Sequence, residues 1–303
     1  MKIIMNSYLE NMKSPIRFVM NFIPDALVNI APENKFRFEK EYPDFILEFV
    51  DTKDWQLEVD TKSKIIYISR KVVEVFWAVS YGYFTFYKLV MSGKLVTEPT
   101  IIDLSKDPEV LKSMQLLNWV YKSWINNDSE EWAEQLPKPI KDPPIDSMEK
   151  VADELCLCAV AYVLHHELSH IRLMHSGESE IDSEKEADYE ATEWLLNHNI
   201  PEDDMRFTKR AFGIALAFEV LTARGIYTGN YGGKKHPYSY DRLYNNLDRY
   251  IKNPDHIIWA FLSAVIKLHL DNANIESPAD TFDDFKQCVN SHMDLLSKLN
   301  NRR

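Results

Sequence analysis

The chain is poor in cysteine, glycine and positive charge, and each shortage narrows what it can be. Only Cys156, Cys158 and Cys288 occur in 303 residues, too few for a disulfide framework. Cys156 and Cys158 stand two apart, so on a helix they point in different directions, as packing residues rather than a metal pair. Such thiol usage suits a reducing cytoplasm. Lys and Arg total 35 against 47 Asp and Glu, a net charge of −12. The basic surface that nucleic acid requires is missing, and so is a polybasic membrane face. Long hydrophobic runs are missing too. The most apolar stretch, Val75 to Tyr87, has thirteen uncharged residues, is too short to span a bilayer as a helix, and reads as buried core. The start of the chain, Met1-Lys2-Ile3-Ile4, shows no cleavable leader pattern. Eight glycines alongside 45% hydrophobic residues favour a helix-rich protein with a sizeable core.

The pattern changes along the chain. Residues 1–33 read as mixed helix and loop, amphipathic from Tyr8 to Phe22. Four short, partly alternating runs follow: Lys35 to Phe38, Phe45 to Val50, Trp55 to Val59 and Lys64 to Ser69. With turns at Asp51 and Asp60, they predict a small antiparallel sheet in the N-terminal half. Helical periodicity then runs from about Lys71 to Met91 and from Pro108 to Ile125, with Trp119, Trp124 and Trp132 as packing residues. Four prolines within 137–144 mark a linker. The expected organisation is an N-terminal α/β part over 1–135, a proline-rich linker over 136–147, and a helical catalytic part over 148–303 forming one unit with the sheet.

The linker leads into a helix, Val151 to His175, that carries His166-Glu167-x-x-His170. Asp146 and Glu149 suggest a capping box at its start, and Gly177 a stop. A helix puts residues four apart on one face, so the two imidazoles can close on one zinc ion while Glu167 holds a water as base. His165 lies off that face and His175 at the helix end, and both read as structural. Alone, this motif also fits a surface helix with solvated histidines. The next helix, about Asp182 to His198, adds Glu184 and Asp188, again four apart. Without the histidines they would be a solvated acidic face. With them, Glu184 serves as third ligand and Asp188 as the acceptor that fixes a ligand imidazole. Core-like helices follow at about Asp203–Arg224, 254–270 and 278–299. Between them, a glycine-rich stretch leads to His236-Pro237-Tyr238-Ser239-Tyr240-Asp241-Arg242, where substrate-facing groups are expected.

In order, His166-Glu167-x-x-His170, Glu184-x-x-Ala187-Asp188 and His236-Pro237-x-x-x-x-Arg242-Leu243 resemble the motif set of the gluzincin metallopeptidases. The set is most similar to that of the CAAX-prenyl and heat-shock-type membrane metalloproteases. The resemblance implies a zincin-like α+β fold, with Lys64–Ser69 as the edge strand beside the cleft. It also implies Glu184 as zinc ligand, Asp188 as its partner's support, and His236 and Arg242 beside the substrate. The 13 residues between His170 and Glu184 form a short gap, and the expected absence of membrane spans sets the chain apart from the membrane enzymes. Size and motif position resemble the Lit phage-exclusion peptidase family. That resemblance implies a cytosolic peptidase, triggered by a phage capsid peptide bound to elongation factor Tu, that then cleaves the factor. The ImmA/IrrE-type regulatory peptidases, which cut repressors, have a similar second motif.

The expected chemistry is zinc-dependent peptide hydrolysis on a protein substrate, with Glu167 as general base. His236, Arg242, Tyr238 and Tyr240 are all open as the oxyanion donor. Two other readings compete: a regulatory protein with a non-catalytic metal site, and a helical interaction protein without metal.

Overall fold

The computed structural model describes residues 2–4, 12–42, 44–50, 52–92, 107–125, 131–175, 180–197, 200–229, 237–277 and 281–300. The strands are β1 (Lys2–Ile4), β2 (Ile46–Val50), β3 (Leu57–Asp60) and β4 (Ile65–Ser69). The first helices are α1 (Arg17–Met20), α2 (Ile23–Asn29), α3 (Lys35–Glu41), α4 (Arg70–Met91) and α5 (Pro108–Ile125). The later ones are α6 (Met148–Leu173), α7 (Glu180–Leu195), α8 (Met205–Thr228), α9 (Ser239–Asp248), α10 (Ile257–Asn272) and α11 (Phe285–Asn300). The expected helix-rich α+β architecture is observed.

The sheet is mixed, not antiparallel. Its order is β1-β2-β4-β3, with β1, β2 and β4 parallel and only β3 antiparallel to β4. The tight turn after Asp60, whose Oδ1 accepts from Lys62 N and Ser63 N, makes β3 and β4 a hairpin. β3 therefore lies outside β4, and β4 is left to pair with β2 in parallel, Leu47 opposite Ile66. The edge strand is thus β3 rather than Lys64–Ser69. Leu47, Phe49, Ile66 and Ile68 bury the inner face.

Lys35–Phe38 is helix, not strand. Only Phe38 packs inward, against Tyr42, Phe45, His165 and Trp194, while Phe36 is 80% exposed. Arg37 and Glu41 join across one turn at 2.7 Å, a pairing that helix spacing permits.

The helix α4 begins at Ser69, whose hydroxyl accepts from Val72 N, and nearly all of Lys71–Tyr87 is buried. It packs against α5 and α6, and α6 lies between α4 and α8. The cap of α6 is Ser147 rather than Asp146: its side chain accepts from Lys150 N. Gly177 lies outside the described residues. At Gly213 of α8 the helices come close, because a Cβ there would sit 2.6 Å from Cys158 Cβ and 2.8 Å from the Cys158 carbonyl carbon. Among the described residues, α8 is long and apolar enough to cross a membrane, yet 72% of its apolar window is buried inside the protein. One contiguous core extends from Met12 to Leu296.

Candidate metal centre

The helix α6 carries His166 and His170 one turn apart, and α7 brings Glu184 across from them. His166 Nε2 and His170 Nε2 are 3.1 Å apart. Glu184 Oε2 lies 3.5 Å from the first and Oε1 3.5 Å from the second. All three donors fall within 4.8 Å of one another. Four ligands at about 2.1 Å around a tetrahedral ion stand roughly 3.4 Å apart, so this spacing and this nitrogen–oxygen donor set fit a small divalent metal. These three residues could hold a metal ion.

Behind them, Asp188 is 1% exposed, with Oδ1 2.9 Å from His166 Nδ1. Tyr162 donates its hydroxyl to the same oxygen at 3.4 Å. From α9, Arg242 donates Nε to Asp188 Oδ2 at 2.6 Å and Nη2 to Oδ1 at 2.8 Å. Its Nη2 also lies 3.2 Å from Glu184 Oε2, and its guanidinium lies over the Phe218 ring. Burial pushes the Asp188 carboxyl up, but Arg242 and His166 outweigh it and hold the group below its ordinary value. Burial opposes charge on His166, and the Asp188 and Glu184 carboxylates override it, raising its pKa to about 10 in the metal-free site. Glu167 is half-buried, and burial lifts its carboxyl despite the opposing pull of His166 and His170.

The site opens into a cleft of about 280 Å³. Its walls include Trp55, Leu57 of the edge strand, Phe76, Leu221 and Arg224, with Glu167 and Arg242 at the metal end. Arg224 stacks on Trp55 at 5.2 Å, and burial lowers its pKa with no carboxylate among the described residues raising it. A larger cavity of about 890 Å³, lined by Phe22, Ile30, Leu157 and Lys209 among others, contains none of the metal donors.

The motif residues thus divide. His166, Glu167, His170, Glu184, Asp188 and Arg242 come together. Arg242, expected beside the substrate, lines the cleft and is also engaged by Asp188 and Glu184. Tyr238 and Tyr240 stack face to face at 5.4 Å and are not among the cleft-lining residues. His236 lies outside the described residues. His165 is buried away from the donors, its Nε2 3.0 Å from the Leu27 carbonyl oxygen, and burial drops its pKa to about 3. Trp55 and Arg224 line the cleft without having been singled out in the sequence, and His175, expected to be structural, lies against His170. Ala217, Leu221, Arg224 and Thr228 recur at helical spacing along the cleft, a stripe that reads as core in sequence.

Residues 66–262 match the family model described as Peptidase U49. The chain belongs to the peptidase U49 family. That span holds every donor of the centre together with Asp188 and Arg242. The family's chemistry makes the chain a peptidase with a protein substrate. The Cell death peptidase of Escherichia coli (strain K12) is 29% identical over 284 residues, covering 89% of this chain and 94% of that protein. The Lit-like resemblance read from size and motif position is thereby borne out. No solved structure matches the chain.

Proposed function

We propose that this U49 peptidase is a zinc-dependent endopeptidase acting on a cytosolic protein. The observation that carries the reading is the convergence of His166, His170 and Glu184 donors within 4.8 Å in a cleft that also holds Glu167. When bound there, zinc supplies Lewis acidity, polarising the scissile carbonyl and acidifying water.

The remaining work falls to the chain's own groups. Glu167 accepts the water's proton and returns it to the leaving amine, a general base that becomes a general acid. Its burial raises its basicity in the direction that this task requires. Asp188 orients His166, and Arg242 holds Asp188 ionised while also pairing with Glu184. An extended substrate lies along β3, the edge strand whose Leu57 faces the cleft. His236 or Arg224 donates to the developing oxyanion, since Arg242 is committed to carboxylates.

The resemblance to the Lit phage-exclusion peptidases in size and motif position favours elongation factor Tu as the target. Cleavage follows a phage-derived trigger in the cytoplasm, and the enzyme is latent otherwise. The test compares new protein N-termini in bacteria expressing the wild type or Glu167→Gln, with and without phage. The expected result is one dominant new terminus in elongation factor Tu, with wild type and phage only. A dominant terminus in a repressor would replace the target, and cleavage retained by Glu167→Gln would remove Glu167 as the base.

A further inference from the structure

The two imidazoles of the metal centre are backed by different groups. A ligand imidazole passes its second ring N–H to an acceptor, which fixes the tautomer and aims the lone pair. For His166 that acceptor is Asp188. For His170 the second nitrogen is Nδ1, and it lies 2.8 Å from Nδ1 of His175. The two rings meet edge to face, with centroids 4.9 Å apart at 73°. His175 Nε2 in turn lies 3.2 Å from Glu186 Oε2 on α7.

The backbone makes this contact possible. The helix α6 ends at Leu173, and Met174 adopts φ 52° and ψ 42°. That left-handed region is uncommon for a residue with a side chain, and helix ends usually place glycine there. The turn lets His175 N donate to the His170 carbonyl at 3.2 Å and folds the His175 side chain back against His170.

Proton placement gives the contact a direction. If His170 Nδ1–H donates to His175 Nδ1, then His175 carries its proton on Nε2 and donates to Glu186. His170 Nε2 is then left with its lone pair facing His166 Nε2 and Glu184. The reverse assignment puts a proton on His170 Nε2, where a ligand lone pair is needed, and sets a bare His175 Nε2 against a carboxylate. Only the first arrangement satisfies all three contacts. His175 is not itself a ligand to the same ion, because it meets His170 at Nδ1, the nitrogen that faces away from the donor cluster.

We propose that His175, held by Glu186, is the positioning residue for metal ligand His170. The inference rests on the metallopeptidase reading. Each ligand imidazole then has its own support, both supplied through α7: Asp188 directly for His166, and Glu186 through His175 for His170. Glu186 is 56% exposed on its side chain, so His175 carries most of the effect.

The test is zinc affinity by competition with a chromophoric chelator at neutral pH, on the full chain. Cobalt absorption serves as a second readout of site geometry. His175→Ala is expected to weaken zinc binding about 10–100-fold, Glu186→Ala by only a few-fold. His175→Asn keeps an acceptor where Nδ1 stood and is expected to restore most of the affinity. The metal-free unfolding temperature of His175→Ala should match that of the wild type. Unchanged zinc affinity in His175→Ala would overturn the proposal. Equal losses in the Ala and Asn variants with a lowered metal-free unfolding temperature would also overturn it, showing a packing role instead. A wild type that binds no zinc would remove the metal reading, and this inference with it.

Discussion

Replacing Arg242 by alanine leaves two carboxylates facing each other in a buried pocket. Asp188 is 1% exposed, and the Arg242 side chain that covers it is 9% exposed. The guanidinium holds Asp188 through two hydrogen bonds, at 2.6 and 2.8 Å, and reaches Glu184 at 3.2 Å. One such charge pair near 4 Å is worth about 4 kcal/mol at an effective dielectric of about 20. Removing one partner of a buried pair costs about 3–5 kcal/mol by mutation. The two figures agree, so Arg242→Ala should destabilise the metal-free chain by about 3–5 kcal/mol. Bound metal neutralises Glu184, so the loss should be smaller in the loaded protein. Arg242→Lys keeps the charge but loses the planar fork, and should cost roughly half as much. Urea unfolding followed by circular dichroism, with and without chelator, reads all three effects. Arg242→Ala within 1 kcal/mol (about fivefold in the unfolding constant) in both conditions, but inactive, would refute the clamp and return Arg242 to the substrate.

Other outcomes follow from particular contacts. Gly213→Ala should cost at least about 1–3 kcal/mol, because its Cβ meets the backbone of α6, and it should weaken metal binding too. Gly82→Ala, which meets only the Leu117 side chain, should cost less; thermal unfolding of the pair checks the ranking, and equal losses would refute it. Burial lifts the Asp153 carboxyl to about 6 although Trp77 Nε1 donates to it at 2.6 Å. A raised carboxyl favours the folded state below its unfolded pKa, near 4, and loses that contribution as pH rises through about 6. Discounted for partial exposure, Asp153→Asn should therefore stabilise the chain by about 1–2 kcal/mol at pH 8 and by almost nothing at pH 4. Denaturant unfolding at the two pH values measures it, and a gap that does not change with pH would refute it.

The parts legible in sequence were those fixed by local periodicity. His166 and His170, and Glu184 and Asp188, share faces because each pair is four apart on one helix, whatever packs against it. The long buried helices α4 and α8 were likewise visible as apolar runs. What escaped depends on contacts between distant segments. Alternation marked β2 and β4 as strands but carried no strand direction, and β1 finds its partner β2 more than forty residues away. Lys35–Phe38 alternates like a strand, yet only Phe38 has a core to enter. Arg242 was singled out, but its partners were decided by where α9 meets α7. His175 was read as structural, because its approach to His170 rests on one left-handed residue after a helix end, which the sequence does not show.

The central claim is a metal centre of His166, His170 and Glu184. Metal content per chain, measured by elemental analysis of the purified wild type and Glu184→Ala, tests it most directly. The account predicts about one zinc per wild-type chain and its loss in the variant, with the fold of the variant intact by circular dichroism. A wild type without metal, or a Glu184→Ala variant that keeps its full complement, would contradict it.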